Sequence, residues 1–159
     1  MKKLFRLEEL VMIREARDNV PFVLATGCFD ILHRGHVELL EICRSIADPK
    51  TVIGNVAVGL NSDRSVVMLK GHTRPIHKYE DRAFMMSALE SVDFVFQIDS
   101  LRVTDAIRAL RPTDWVKGGD YTLDTLDKDE VKAANEVGAK IHIVPTIGKY
   151  STTNILSKL

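Results

Sequence analysis

Apolar residues along this chain recur in two alternating rhythms. Leu4, Leu7, Leu10, Val11 and Ile13 fall at helical spacing among charges, which predicts an amphipathic helix over 3–17 that ends at Asp18-Asn19. Pro21 to Gly27 is a short continuous apolar run closed by glycine, the pattern of a strand buried on both faces. From His36 the helical rhythm returns, with Val37, Leu39, Leu40, Ile42, Cys43 and Ile46 in one stripe. Further strands are expected over 55–60, 93–98, 114–117 and 140–144. Helices are expected over 80–91, with Phe84, Met85, Ala88 and Leu89 inward, and over 104–110, 128–137 and 152–159. Arg111-Pro112 stops one of these helices and Gly138 another, and Pro145 closes the last strand.

Strands that alternate with helices imply right-handed βαβ units and a parallel sheet covered on both faces. The fold class expected is therefore α/β, a Rossmann-like doubly wound sheet of five parallel strands with helices on both faces. One domain over 1–159 is expected, with 1–19 packing on it. In such sheets ligands bind beyond the carboxyl ends of the strands, at the switch point. The polar stretches 67–79 and 119–127 read as long binding loops.

The segment beyond the first strand is Gly27-Cys28-Phe29-Asp30-Ile31-Leu32-His33-Arg34-Gly35-His36. Two histidines bracket a glycine where a loop enters a helix. Free N–H groups and the positive helix end attract phosphate there, and each imidazole adds a ring nitrogen. Gly35 lets a phosphate approach the backbone and Gly27 lets the chain turn off the strand. A metal site on His33, His36 and Cys28 is disfavoured, because no fourth ligand is suitably spaced. Neither the dinucleotide fingerprint nor a P-loop is present: a tyrosine interrupts Gly148-Lys149-Tyr150-Ser151.

Composition narrows the choice of partner. The chain has 159 residues, 45% hydrophobic and 28% charged, enough for one sizeable core. Lys plus Arg and Asp plus Glu are each 22, so there is no cationic surplus for non-specific nucleic-acid binding. Cys28 and Cys43 make no disulfide framework and suit a reducing, cytoplasmic setting. Glu8 and Glu9 break any signal-peptide pattern, and the longest uncharged run, 51–62, is too short to span a membrane.

The stretch GCFDILHRGHVELL resembles the signature of the HxGH nucleotidyltransferase superfamily, in its cytidylyltransferase-like branch. The resemblance runs from about Val20 to the C-terminus through Asn61-Ser62-Asp63, Lys70 to Ile76, Glu80 to Arg82, Val116 to Tyr121 and Ser151 to Ile155. In sum these segments are most similar to the adenylyltransferase domains that act on D-glycero-β-D-manno-heptose 1-phosphate. The cytidylyltransferases of glycerol 3-phosphate and phosphocholine carry an arginine before the Ser-Thr segment. This chain has Val144 to Tyr150 there, with Lys149 the only charge, which favours ATP over CTP.

What the resemblance implies is specific. His33 and His36, with Lys70, would stabilise charge at the reacting phosphorus. Gly27, Cys28, Phe29, Asp30, Gly35, Lys117, Gly118, Gly119, Asp120, Ser151, Thr152 and Thr153 would bind the nucleotide. Asn61, Asp63, Lys70 and Arg74 would meet the second substrate. Mg²⁺ would ride in with the nucleotide rather than occupy a protein site, and the partners would be ATP and a sugar phosphate, in a homodimer with no nucleic acid or membrane. The residues themselves leave alternatives. Lys70 and Arg74 also read as a solvated basic loop. Arg82 reads equally as an ion pair with Glu80 or Asp81, and Asp30 as a group that orients a histidine or caps the turn. Trp115, inside a strand, reads as core. The alternatives to adenylyl transfer are a CTP-dependent alcohol-phosphate cytidylyltransferase, an FAD synthetase, and a nucleotide-binding module without catalysis.

Overall fold

The computed structural model describes residues 3–49, 53–119, 121–145, 150 and 152–157, with only the backbone for 153. Five strands form one sheet: β1 (Phe22–Gly27), β2 (Asn55–Asn61), β3 (Phe94–Ile98), β4 (Asp114–Gly118) and β5 (Lys140–Val144). Every neighbouring pair is parallel and the spatial order is β3-β2-β1-β4-β5. The chain thus steps outward from β1 to β3, then crosses back to β4 on the other side of β1. That reversal opens a crevice beyond the carboxyl ends of β1 and β4.

Seven helices accompany the strands among the described residues: α1 (Leu7–Glu15), α2 (Arg34–Ala47), α3 (Asp63–Lys70), α4 (Tyr79–Ala88), α5 (Thr104–Leu110), α6 (Lys128–Val137) and α7 (Thr152–Leu156). Alternate residues of β1 point into two separate cores. Phe22 and Leu24 join Leu10, Phe96, Ile107 and Trp115 on one face. Val23 and Ala25 join Leu40, Val56, Val58 and Val116 on the other. Burial on both faces is why the strands read as unbroken apolar runs. Trp115 is fully buried, as its place inside a strand predicts.

Three expectations need correction. The stretch 67–79 is not one loop. Ser62 caps a helix by accepting from Ser65 N–H at 3.3 Å, so α3 runs to Lys70 and the loop shrinks to 71–78. This helix buries only Ser65 and Val66, too little apolar surface to leave a helical rhythm. The inward face of α4 is Arg82, Ala83 and Met86, whereas Phe84 is 72% exposed. A buried arginine occupies a core-facing position, which rotates the apolar pattern away from the true face.

The N-terminal helix is also shorter than its rhythm suggests. Residues 3–5 instead run beside β3. Phe5 N–H donates to Val95 O at 2.9 Å and Val95 N–H to Lys3 O at 2.8 Å. Leu4 and Val95 form a parallel bridge.

Candidate active site

Beyond β1 the chain turns through Cys28 and Phe29, whose φ of 45° is left-handed. The Phe29 ring is buried and lies 5.0 Å, centroid to centroid, from His36. His33 and His36 are stacked, centroids 3.7 Å apart and 17° from parallel. The spacing of three residues across the start of α2 brings them together. Gly35 leaves room for this: a Cβ there would lie 3.2 Å from His33 Nδ1 and 3.4 Å from Tyr150 Cβ. Gly118 serves the opposite wall, because a Cβ would lie 2.8 Å from Leu39 Cδ2 of α2.

Both imidazoles are held neutral. Burial pushes the His33 ring below its ordinary value. Burial, and then the neighbouring His33, push His36 down to about 3. His33 Nδ1 and His36 Nδ1 are buried without a hydrogen-bond partner among the described residues. Buried polar atoms are nearly always paired, so two orphan ring nitrogens side by side are uncommon, and both residues line the pocket at this helix entrance.

The histidines open into a pocket of about 840 Å³ over the ends of β1, β2 and β4. Its cations are arranged unequally. Arg74 Nε donates to Asp30, Arg102 pairs with Asp127 at 3.0 Å and with Asp129, and Lys117 Nζ faces Glu130 at 3.3 Å. Lys70 is the lining cation without a carboxylate partner among the described residues. It is thus ready to meet an anion without first breaking an ion pair.

Several sequence-predicted roles change. Asp30 neither orients a histidine nor meets solvent: its carboxylate accepts from Ile76 N–H at 2.8 Å, from His77 N–H at 3.0 Å and from Arg74. Burial pushes its carboxyl up, but these donors outweigh that and hold it below the ordinary range. Asp30 and Arg74 therefore tie the 71–78 loop to the histidine segment, and Arg74 is not a free basic group. Lys70 sits on the last turn of α3 rather than in that loop.

Arg82 pairs with neither Glu80 nor Asp81. Fully buried, it donates to the carbonyls of Cys28 at 2.7 Å, Asn61 at 2.9 Å and His77 at 2.9 Å, and to Asp63 Oδ1 at 2.7 Å. The Cys28 carbonyl is thus committed to the scaffold. Asp63 is drawn to Arg82 and does not line the pocket, although Asn61 does.

Gly27, Cys28, Lys117, Gly118, Gly119 and Thr152 line the pocket with the histidines. Asp120, Lys149 and Ser151 lie outside the described residues, as does the side chain of Thr153. Sequence reasoning missed Glu130, Arg102, Tyr121 and Tyr150, which also line it. Tyr121 and Tyr150 end the segments Val116 to Tyr121 and Val144 to Tyr150, whereas Glu130 and Arg102 carry no local signal.

The described acidic residues near the histidines do not build a magnesium cage. Asp30 and Asp63 are engaged as above, and no group of three or more His, Cys, Asp and Glu side chains is gathered among the described residues.

A family model described as cytidylyltransferase-like matches residues 24–158. The chain belongs to the cytidylyltransferase-like family. It is 39% identical over 158 residues to Bifunctional protein HldE of Campylobacter fetus, covering 99% of this chain and 31% of that one. To Bifunctional protein HldE of Hyphomonas neptunium it is 44% identical over 132 residues, covering 83% and 26%. The chain thus spans less than a third of the length of these relatives. The crystal structure of the lipopolysaccharide core biosynthesis protein from Thermoplasma volcanium is similar, with a TM-score of 0.63 at 27% identity. That match covers 84% of this chain and 100% of the other. As a cytidylyltransferase-like protein, the chain is a nucleotidyltransferase. No helix among the described residues is long and apolar enough to cross a membrane.

Proposed function

We propose that the chain transfers AMP from ATP to a sugar 1-phosphate, D-glycero-β-D-manno-heptose 1-phosphate, releasing pyrophosphate and giving an ADP-sugar. The observation that carries transfer at this pocket is the stacked, neutral His33–His36 pair that lines it at the start of α2. The choice of ATP and of the heptose rests on the sequence segments and on the HldE relatives.

The chemistry asks little of a base. The attacking group is a phosphate-monoester oxygen whose second pKa is near 6, so it is already ionised at neutral pH. It forms a bond to the α-phosphorus, the bond from that phosphorus to the α,β-bridging oxygen breaks, and pyrophosphate leaves with the electron pair. The protein's part is to align two anions and neutralise charge that builds between them. His33 and His36 offer ring donors, the start of α2 offers N–H groups, and Lys70 offers an ammonium with no carboxylate partner among the described residues. Magnesium enters as part of the nucleotide substrate, held by its phosphates and water.

The test is pyrophosphate release from ATP or CTP with a sugar 1-phosphate or glycerol 3-phosphate. Release with ATP and the heptose 1-phosphate supports the reading. Release only with CTP and glycerol 3-phosphate replaces it with the cytidylyl alternative, and no release with any pair refutes it.

A further inference from the structure

Glu130 is 6% exposed and lines a pocket that has to admit two anions. A buried carboxylate there repels both substrates, and such groups are rarely buried unless paired. Its two oxygens serve two different walls. One accepts from Val103 N–H, at the entrance to α5, at 3.1 Å. The other faces Lys117 Nζ, on β4, at 3.3 Å. Glu130 is itself fixed: its N–H donates to the capping Asp127 carboxylate at 3.2 Å. The Lys117 ammonium is further bounded by two rings, 5.4 Å from the Trp115 centroid and 5.7 Å from that of Tyr121. A lysine side chain ordinarily sweeps many rotamers, and this one is confined from three sides.

We infer that Glu130 is a positioning residue for nucleotidyl transfer. It holds the Lys117 ammonium where the nucleotide enters the crevice between β1 and β4, and it fixes the wall at Val103 in the same act. The inference rests on the reading that Lys117 meets the nucleotide. Pre-placing the cation removes an ordering cost from the binding step, which offsets the repulsion by the carboxylate.

Glu130→Gln tests this, because it keeps the size and an acceptor for Val103 N–H while removing the charge that faces Lys117. The nucleotide KM should rise roughly threefold to tenfold, the scale of immobilising one rotamer-rich side chain on binding, with a smaller change in kcat. A carboxylate that is only a stray anion in the pocket gives the opposite sign. Unchanged or tighter nucleotide binding therefore overturns the inference. In a Lys117→Met background the same substitution should add less than about twofold, since the group it acts through is gone. An equal effect in both backgrounds identifies a purely structural role and also overturns it.

A Lys117→Met variant with an unchanged nucleotide KM refutes the lysine contact, and the inference with it. Absence of pyrophosphate release by the unaltered protein is the separate failure of the proposed function. Should Glu130→Gln not fold, Glu130→Asp, which draws the charge back by one methylene, is judged by the same criteria.

Discussion

Replacing Arg82 by methionine keeps an unbranched apolar stem and removes the guanidinium with every donor it carries. The side chain is fully buried and makes hydrogen bonds to three carbonyls and one carboxylate, from 2.7 to 2.9 Å. Asp63 is half-exposed and can return to water, so it contributes little to the loss. The carbonyls of Cys28, Asn61 and His77 belong to three different segments. A buried acceptor left unsatisfied costs about 1–3 kcal/mol, and here three carbonyls lose their donor at once. The methionine's apolar burial returns part of this. The expected net loss is about 3–4 kcal/mol, a large part of the total for a domain of this size.

Urea denaturation followed by far-ultraviolet circular dichroism measures that loss, and the melting temperature should fall by roughly 10 °C. The same substitution should lower turnover at temperatures where the variant is folded, because the Cys28 carbonyl anchors the turn that carries His33 and His36. Arg82→Lys should recover only part of the stability, since one ammonium cannot reach three carbonyls lying in a guanidinium's plane. A loss below about 1 kcal/mol for methionine would falsify the account of Arg82 as the fastener of the site.

The remaining expectations concern the histidines and the cations. His33→Ala or His36→Ala should cut turnover by about two to four decades, the scale for removing one preorganised donor, and near-normal turnover in steady-state assays would dismiss the assignment. Gly35→Ala places a Cβ 3.2 Å from His33 Nδ1, so the imidazole has to shift; turnover should drop at least about tenfold while the urea midpoint barely moves. His36 is neutral in the folded protein down to about pH 3, but in the unfolded chain it takes a proton near 6.5. The unfolded state thus binds more protons between those values. Its contribution is fully present above about pH 6.5 and falls by about 1.4 kcal/mol per unit below. Urea midpoints at pH 7 and pH 5 should show a loss of about 2 kcal/mol that His36→Asn removes, and an unchanged slope in that variant contradicts the cause. Lys70→Gln should weaken binding of the anionic substrates with little change in melting temperature, because this ammonium supports no ion pair among the described residues.

The sheet was legible because its strands are buried on both faces, and residues such as Val23 and Leu24 feed two cores from adjacent positions. The histidine segment was legible for a different reason: strand, glycine, loop and helix start are contiguous, so local rules suffice. What escaped was carried by partners distant in sequence. Arg82 finds Asp63 and the Cys28 carbonyl, 19 and 54 residues away, and no spacing rule favours them over the adjacent Glu80 and Asp81. Asp30 meets N–H groups 46 and 47 residues later, so its role depends on how the 71–78 loop folds back. Glu130 reads as one more acid in the first turn of a helix, where acids are common for their effect on the helix dipole. Only the packing of α6 against α5 turns it inward, toward Val103 N–H and the Lys117 ammonium.

The pairing of residues 3–5 with β3 bears on the protein's behaviour in concentrated solution. A border strand presents a row of unused amide and carbonyl groups on which another molecule can add a strand and seed aggregation. At Val95 both groups are taken by the chain's own beginning, through Lys3 and Phe5. These few residues act as a guard on one margin of the sheet, a colloidal task separate from the chemistry at its far end. A molecule clipped before Leu7 would trade that private pairing for one open to its neighbours.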